Sequence, residues 1–262
     1  MSAVVVDKVT KVFNQGRPDE VVALSEVDLT VADGEFVSLI GPSGCGKSTL
    51  LRLIADLIAP TAGTVTVAGK SAGTARKQQE YGIAFQQAGL FEWRTVLRNV
   101  ELPLELRGMS RARRRARAEE MLALVGLADF AGHYPAQLSG GMQQRVAIAR
   151  ALAVQPPLLL MDEPFGALDE MTRERLQTEL LAICAKTGTS TVFVTHSISE
   201  AVFLSQRVVV MSARPGRITA SIGVALPSRD DAGRQSPAYF DKITEVRRAL
   251  RGTPVTSPAE TR

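Results

Sequence analysis

The chain lacks most of the sequence features that would place it in a membrane or in an oxidising compartment. Its apolar stretches, such as 36–40 and 158–161, are far shorter than the roughly 20 residues that a membrane-spanning helix needs. The N-terminus has no basic leader followed by an apolar run and a cleavage site, so we do not expect secretion. The only two cysteines, Cys45 and Cys184, form no metal-ligand or redox pattern, and we expect both to be reduced thiols of a cytoplasmic protein.

A strong charge of either sign is missing as well. The chain carries 31 basic and 27 acidic residues, a net charge of +4, and much of the basic excess lies in residues 107–117. Such a run indicates either a surface for nucleic acid or anionic lipid, or the solvated face of a helix. Arg111, Arg114 and Arg115 would share one side of a helix, but no aromatic residues interleave with them to stack on bases. We therefore favour a solvated face and expect no nucleic-acid partner.

The remaining composition is that of an ordinary globular protein, with 45% hydrophobic and 22% charged residues. A chain of 262 residues buries one substantial core and has room for a subdomain, but hardly for two independent domains. We therefore predict a single domain over residues 1–262.

Strand signals dominate the N-terminal part of the chain. Residues 4–13 alternate loosely and predict an edge strand, and the period of two over 25–31 predicts a second strand. The near-continuous apolar run 35–40 predicts a strand that is covered on both faces. Apolar residues at helical spacing after Lys47 then predict a helix that Pro60 ends.

The middle of the chain, about 94–150, is helical in character, and Gly126 is placed to stop a helix over 111–125. Strand signals then resume, with helical stretches between them, at 158–161, 191–195 and 208–211. This alternation around a helical insertion predicts an α/β fold with a mostly parallel sheet. A short amphipathic helix in the polar tail is indicated by Phe240, Ile243, Val246 and Leu250.

A glycine-rich loop lies between the strand 35–40 and the helix that follows it. Its sequence, Gly-Pro-Ser-Gly-Cys-Gly-Lys-Ser, matches the phosphate-binding pattern G-x-x-x-x-G-K-[ST]. Glycines let successive backbone N–H groups turn inward on an anion, and the helix N-terminus adds its positive dipole end. The alternative is a strand–helix turn that matches by chance, and the flanking elements argue against it. The predicted nucleotide-binding residues are Gly41, Pro42, Ser43, Gly44, Cys45, Gly46, Lys47, Ser48 and Thr49.

Four side chains in and beyond this loop suit the chemistry of a nucleotide. Lys47 supplies a cation for the β- and γ-phosphates, and the Ser48 hydroxyl is placed to bind Mg²⁺. The strand 158–161 ends in Asp162 and Glu163, at the sheet edge where α/β proteins bind ligands. Asp162 suits a second Mg²⁺ ligand, and Glu163 is placed to polarise an attacking water as general base, although paired acids also occur at solvated strand ends. These motifs predict a P-loop nucleotide-binding protein, a class that includes kinases, GTPases and ATPases.

The segment Leu-Ser-Gly-Gly-Met-Gln-Gln-Arg at 138–145 resembles the signature motif of ABC ATPases nearly letter for letter. Ser139 is a good helix N-cap, and Gly140 and Gly141 let a phosphate approach the free backbone donors. A capped helix without a ligand would explain Ser-Gly-Gly alone. It does not explain why the other motifs of this family are present in the expected order.

Further residues resemble motifs of the same family. Gln86, after Phe85, resembles the Q-loop glutamine that contacts the metal and the attacking water. Asp169 ends a segment that resembles the D-loop, with Gly166 where many relatives have Ser, and the resemblance assigns it to the nucleotide site. His196 resembles the switch histidine that holds the γ-phosphate.

Phe13 looks like the aromatic residue of this family that stacks on adenine. The polar interruption at 14–20 changes its distance from the phosphate loop, however, and a core phenylalanine is the alternative.

The resemblance covers about residues 4–225 and implies an α/β fold with a P-loop NTPase (RecA-like) core and a mostly parallel sheet. It also implies an N-terminal antiparallel β-subdomain and an inserted α-helical subdomain. The expected ranges are 1–86 and 155–225 for the core, about 87–154 for the helical subdomain and 226–262 for the tail. In this family the signature of one subunit closes over the ATP of the other, so the chain is expected to act as a homodimer with ATP and Mg²⁺ as cofactors.

Within that family the chain resembles the ATPases of nitrate, sulfonate and taurine importers, on the residues 133–137, 161–169, 195–201 and 214–218. The resemblance implies an ATP-hydrolysing subunit bound peripherally at the cytoplasmic face of the inner membrane. Its implied partners are integral-membrane permease subunits and, indirectly, an extracytoplasmic solute-binding protein. The permease groove would lie after the Q-loop and use Phe91, Trp93 and Leu97 as apolar anchors, with internal packing as the alternative.

A function of another class is kept as an alternative. Soluble ABC ATPases act on nucleic acid or in translation, but they typically carry two cassettes or a long coiled-coil insertion. This chain has one set of motifs and no heptad run between them. A small-molecule kinase would leave the signature segment unexplained.

Overall fold

The computed structural model describes residues 2–252. The described residues up to Gly73 form one compact unit together with those from Val192 onward, and Thr74–Thr191 form a second. Among residues 2–252, no helix combines the length and the apolarity that crossing a bilayer requires.

The first unit contains an antiparallel sheet of four strands in the order β2-β1-β4-β5. Its strands are β1 (Ser2–Phe13), β2 (Val21–Ala32), β4 (Ala62–Val67) and β5 (Lys70–Ser71). β1 pairs with β2 along one side and with β4 along the other, so the expectation of an edge strand is wrong. Alternation of apolar residues reports which faces of a strand are covered, whereas the position of β1 depends on the return of β4, far along the chain.

The same unit contains strands buried on both faces. All five residues of β3 (Phe36–Ile40) are buried, as the apolar run predicts. β3 pairs in parallel with β9 (Arg207–Met211), which pairs antiparallel with β10 (Ile218–Gly223). On its other side β3 lies beside β8 (Ser190–Val194), whose residues 192–194 belong to this unit.

Four helices belong to the first unit: α1 (Lys47–Ile54), α7 (Ile198–Leu204), α8 (Asp231–Arg234) and α9 (Pro237–Leu250). α1 ends before the predicted stop at Pro60. Asp56 adopts a left-handed φ of 52°, and the Leu57 N–H bonds to the Arg52 carbonyl five residues back, which closes the helix. α9 is the amphipathic helix predicted for the tail, with Val246 fully buried. The remainder of the predicted tail, 253–262, lies outside the described residues.

The second unit is mainly helical. α2 (Ala72–Lys77) leads into it, and β6 (Tyr81–Ala84) pairs in parallel with the fully buried β7 (Leu158–Asp162). Its other helices are α3 (Val96–Leu106), α4 (Arg111–Leu124), α5 (Gly140–Ala153) and α6 (Glu170–Thr187), with short 3-10 turns at Ala128–Phe130 and Pro135–Gln137. α4 ends where it is predicted to end, because Gly126 adopts the left-handed φ of 65° that ordinary residues avoid.

The basic run 107–117 lies on α4 and the turn before it. Arg115 pairs with Glu119 and Arg117 with Glu120, one turn along the same helix. Arg107 instead donates to the carbonyls of Gln79 and Val154. The Arg115–Glu119 pair fits a solvated helix face, whereas the contacts of Arg107 join the turn before α4 to the backbone of other segments.

Candidate functional site

The phosphate-binding loop connects β3 to α1. Gly44 and Gly46 have φ values of 73° and 105°, which let the backbone between them turn its N–H groups to one side. A Cβ on Gly46 would lie 2.6 Å from the Leu24 side chain, so the closeness of β2 also requires glycine there. No side chain caps the N-terminus of α1, which leaves its first backbone donors facing the loop.

Lys47 is the first residue of α1 and is largely buried. Its ammonium donates to the carbonyls of Gly41 at 2.8 Å and Pro42 at 3.1 Å, and lies 3.8 Å from the Cys45 sulfur. The cation is therefore held against the loop's own backbone. Ser48 and Thr49 follow it in the first turn of α1.

A second loop, 212–217, packs against the phosphate-binding loop. The Arg214 guanidinium donates to the Gly44 carbonyl through Nε and Nη2, each at 3.3 Å. Gly216 is buried so close to the Cys45 carbonyl that a Cβ would collide with it. The sequence interpretation missed these contacts. The sequence did contain the segment Arg-Pro-Gly at 214–216, but that segment was used only as part of the resemblance to importer ATPases.

His196 lies two residues beyond the end of β8, in a stretch that two buried side chains hold in shape. The Thr195 hydroxyl donates to a Glu200 carboxylate oxygen at 2.6 Å and accepts from the Ser197 N–H at 2.9 Å. Because an ionised carboxylate only accepts, the Thr195 hydrogen points to Glu200 and its lone pair stays available to Ser197. The two contacts define the backbone on both sides of His196. Sequence reasoning missed Thr195 and Glu200.

Phe13 is the last residue of β1 and is 37% exposed. The Lys11 ammonium lies 5.0 Å from the centroid of its ring, a cation–π distance. The ring thus lies at the surface of the first unit, where its role in adenine stacking stays a prediction.

In the second unit, β7 brings Asp162 and Glu163 to its C-terminal end. Asp162 is buried, and Glu163 adopts a φ of 48° that costs a non-glycine residue about 1–3 kcal/mol. The Gln86 amide donates to a Glu163 carboxylate oxygen at 3.3 Å. The structure therefore brings together two of the three residues that the sequence assigns to catalysis.

Two side chains of α5 hold the backbone around Gln86. The Gln144 amide donates to the Phe85 carbonyl at 2.8 Å. The Arg150 guanidinium donates to the carbonyls of Ala88 and Gly89, both at 2.8 Å, and burial lowers the pKa of Arg150. Gln144 lies in the signature segment, but nothing in the sequence indicates that Arg150 reaches this loop.

The signature segment forms the start of α5. The Ser139 hydroxyl accepts from the Met142 N–H at 3.3 Å, which confirms its predicted place as N-cap, and Ser139 and Gly140 are exposed. A Cβ on Gly141 would lie 3.0 Å from the Ala167 carbonyl, so the start of α5 packs closely on the D-loop segment.

Asp169, at the end of that segment, is the N-cap of α6. Its carboxylate accepts from the Thr172 N–H at 2.9 Å, and this backbone hydrogen bond is the main reason that the pKa of Asp169 is lowered. The geometry gives Asp169 a capping task beside its predicted place at the nucleotide.

The residues assigned to the metal supply the oxygen donors that Mg²⁺ prefers. Ser48 offers a hydroxyl at the start of α1, and Asp162 offers a carboxylate at the end of β7. Within residues 2–252, no group of three or more His, Cys, Asp or Glu forms an all-protein cage. Each oxygen is of a kind that suits Mg²⁺, which is usually held by one or two side chains together with substrate phosphates.

Comparisons with known proteins bear on the same residues. A family model described as ABC transporter matches residues 24–166. The nitrate import ATP-binding protein NrtD of Synechocystis is 45% identical over 244 residues, covering 90% of this chain and 91% of the relative. The taurine import ATP-binding protein TauB of Yersinia pestis is 49% identical over 220 residues, covering 82% of each. A putative ATP-binding protein of Brucella abortus is 50% identical over 218 residues, covering 83% of each.

Among solved structures, the chain resembles a dimeric post-hydrolysis state of the ATP-binding cassette MJ0796 bound to ADP and phosphate. The TM-score is 0.79 at 39% identity, and the match covers 85% of this chain and 99% of that one.

Proposed function

The chain belongs to the ABC transporter family of ATP-binding proteins, and from that premise we propose that it powers solute import by closing and opening as a homodimer around ATP. Family membership makes the chain an ATPase and confirms the predicted fold class, a P-loop NTPase with a mostly parallel sheet, an antiparallel β-subdomain and inserted helices. The proposal adds the direction of transport, the dimer cycle, the partners and the role of each site residue.

Import of a small solute of the nitrate, aliphatic sulfonate or taurine class is supported by the relatives. The nitrate and taurine import proteins are 45% and 49% identical to this chain over more than four fifths of its length. Solute choice in such systems belongs to the permease and the binding protein. The relatives therefore support a class of solute without naming one.

The hydrolytic chemistry is assigned to side chains of both units. Lys47 and the backbone of 41–49 bind the phosphates, and Phe13 stacks on adenine. Ser48, Asp162 and Gln86 would hold Mg²⁺, which would neutralise phosphate charge. Glu163 takes a proton from the attacking water, and His196 donates a hydrogen bond to the γ-phosphate.

Dimer closure is assigned to the start of α5. Ser139, Gly140 and Gly141 of one copy bind the ATP held by the other, as anion binding at a helix N-terminus favours, and Asp169 lies beside this contact. The exposure of Ser139 and Gly140 supports the assignment, because the start of α5 is accessible there to a second copy. Each chain then carries two half-sites, and a complete ATP site forms only where the nucleotide-binding half of one copy meets the signature half of the other.

Docking to permease subunits is assigned to the surface that follows the Q-loop. Trp93 is 74% exposed, and its ring centroid lies 4.9 Å from that of Phe91, while Leu97 is half-buried in the first turn of α3. An exposed indole beside the half-buried ring of Phe91 suits an apolar helix of a membrane partner. Such docking places the protein peripherally at the cytoplasmic face of the inner membrane, with a solute-binding protein on the other side.

The observation that carries the catalytic proposal is the Gln86–Glu163 contact at 3.3 Å, which joins the predicted water-contacting amide to the predicted base. Glu163→Gln should bind ATP and Mg²⁺ without hydrolysis and elute from gel filtration as a dimer. Glu170→Gln, which removes an equal charge from the exposed first turn of α6, should hydrolyse ATP like the unmodified protein. A Glu163→Gln protein that stays monomeric with saturating ATP would overturn the dimer cycle.

A further inference from the structure

We propose that Arg214 is a positioning residue for nucleotide binding, which holds the phosphate-binding loop in its anion-binding shape from the outside. The inference rests on the proposed role of 41–49 in binding ATP. This role involves the Arg-Pro-Gly segment 214–216, which takes no part in the hydrolytic chemistry proposed above.

The loop 212–217 touches the phosphate-binding loop at successive points. Arg214 donates to the Gly44 carbonyl with two nitrogen atoms of one guanidinium. Gly216 lies against the Cys45 carbonyl, one residue further on. At the base of the loop, the Met211 carbonyl would be 2.8 Å from a Cβ on Gly41. The phosphate-binding loop is therefore contacted at Gly41 from the end of β9, and at Gly44 and Cys45 from the loop 212–217.

Backbone hydrogen bonds hold this supporting loop in place. The Gly216 N–H donates to the Ala23 carbonyl at 2.9 Å, and the Gly216 carbonyl accepts from the Ser25 N–H at 3.1 Å. Gly216 thus joins β2 as a short parallel bridge at Leu24. Arg214 is therefore presented to Gly44 from an anchored segment.

The physical consequence follows from the alternation of backbone groups. For N–H groups to converge on a phosphate, the carbonyls between them must point away from it. Gly44 has a left-handed φ of 73°, and its carbonyl accepts from the forked Arg214 guanidinium of the neighbouring loop, which supplies a donor pair for that oxygen. Removing the fork frees the loop to sample other shapes, and nucleotide binding must then restore the competent one.

The same loop provides a matched control. Arg217 is also exposed and carries the same charge, but its guanidinium donates to the Ser25 hydroxyl at 2.9 Å. Arg214→Ala and Arg217→Ala therefore remove equal charge from the same loop. Only the first removes a contact to the phosphate-binding loop.

The test compares ADP binding and ATP hydrolysis in the full chain. Arg214→Ala should raise the Kd for Mg²⁺-ADP and the KM for ATP about fivefold, the scale of one charged hydrogen bond at a partly solvated site, with kcat changed less than twofold. Arg214→Lys should recover part of the loss, because one ammonium replaces the fork. Arg217→Ala should bind like the unmodified protein, and the ligand-free melting temperatures of both alanine variants should agree.

An unchanged KM for ATP in Arg214→Ala would overturn the inference. An equal rise of the KM in Arg217→Ala would overturn it as well, because the loss of one positive charge would then explain the effect. Lys47→Ala separates this question from the proposed function. If Lys47→Ala binds Mg²⁺-ADP as tightly as the unmodified protein, the nucleotide site itself is wrong. If Lys47→Ala loses binding while Arg214→Ala does not, only the role of Arg214 is wrong.

Discussion

At the scale of single residues, the stretch around His196 shows how one hydroxyl serves two neighbours. Thr195 is almost fully buried, as is Glu200, and its hydroxyl connects that carboxylate to the Ser197 N–H. Burial makes each of these polar groups dependent on its partner, because water does not replace a lost hydrogen bond there.

Thr195→Val keeps the shape of the side chain and removes the hydroxyl. We expect the free energy of unfolding to fall by about 1–3 kcal/mol, since a buried carboxylate and an N–H lose a partner. We also expect kcat for ATP to fall about tenfold, because His196 is less well oriented. Denaturant unfolding and steady-state kinetics measure the two effects, and Thr195→Ser should retain both properties.

A double variant distinguishes orientation of His196 from general damage. If Thr195 acts through His196, Thr195→Val should lower kcat no further once His196→Ala is present. Additive losses in the two variants would contradict that link.

The candidate site residues could be predicted when they belong to a contiguous motif. The nine residues from Gly41 to Thr49 form one contiguous segment, and Asp162 and Glu163 are neighbours at the end of one strand. Arg214, by contrast, lies 170 positions from Gly44 along the chain. No local pattern reports that pairing, because it exists only after β9 has taken its place beside β3.

At the scale of elements, the C-terminal part of the described chain acts on α7. Arg229 donates to the carbonyls of Val202, Phe203, Ser205 and Val224, and burial lowers its pKa. Arg234 stacks over the Phe203 ring at 3.3 Å, and the Tyr239 hydroxyl donates to the Ser199 carbonyl. The last carbonyls of α7, which lack partners within the helix, are thereby satisfied by the tail.

Arg229→Ala should destabilise the protein by about 2–4 kcal/mol, because several buried carbonyls lose their donor at once. Arg248→Ala provides the control, since Arg248 is exposed on α9 and should change the free energy of unfolding by less than about 0.5 kcal/mol. Chemical denaturation of both variants measures the difference. Equal stabilities would show that the tail is not needed to hold α7.

Strands buried on both faces were predictable, and partnerships between strands were not. The apolar runs of β3 and β7 match their complete burial, since a continuous run is what two covered faces require. The position of β1 was predicted wrongly because its neighbour β4 enters the sheet after α1 and has no signature in β1 itself. The end of α1 was also misplaced, since the left-handed turn at Asp56 stops the helix before Pro60.

At the scale of the whole molecule, the proposed dimer divides each ATP site between two copies. Lys47 and Asp162 are assigned to the half that holds the nucleotide, and Gly140 is assigned to the half that covers the partner's nucleotide. A chain with a defect in one half can therefore be complemented by a chain with a defect in the other half, because their two intact halves meet in one site.

Equal amounts of Lys47→Ala and Gly140→Asp chains, each inactive alone, should recover about a quarter of the unmodified activity when mixed. Random pairing makes half of the dimers mixed, and each mixed dimer has one intact site of two. Mixing Lys47→Ala with Asp162→Asn places both defects in the same half, so no site is intact and activity should not return. ATPase activity that does not recover in the first mixture would contradict the shared site.

The hydrogen bonds from α5 to the Q-loop segment have a consequence for how movement passes between the two. Gln144 and Arg150 lie six positions apart on one helix and hold the backbone at Phe85 and at Ala88–Gly89. A displacement of that segment would therefore move α5, whose first residue follows the Ser139 N-cap. A membrane partner that shifts the Q-loop segment would thus also shift the signature residues at the start of α5, which are assigned to the second copy's ATP.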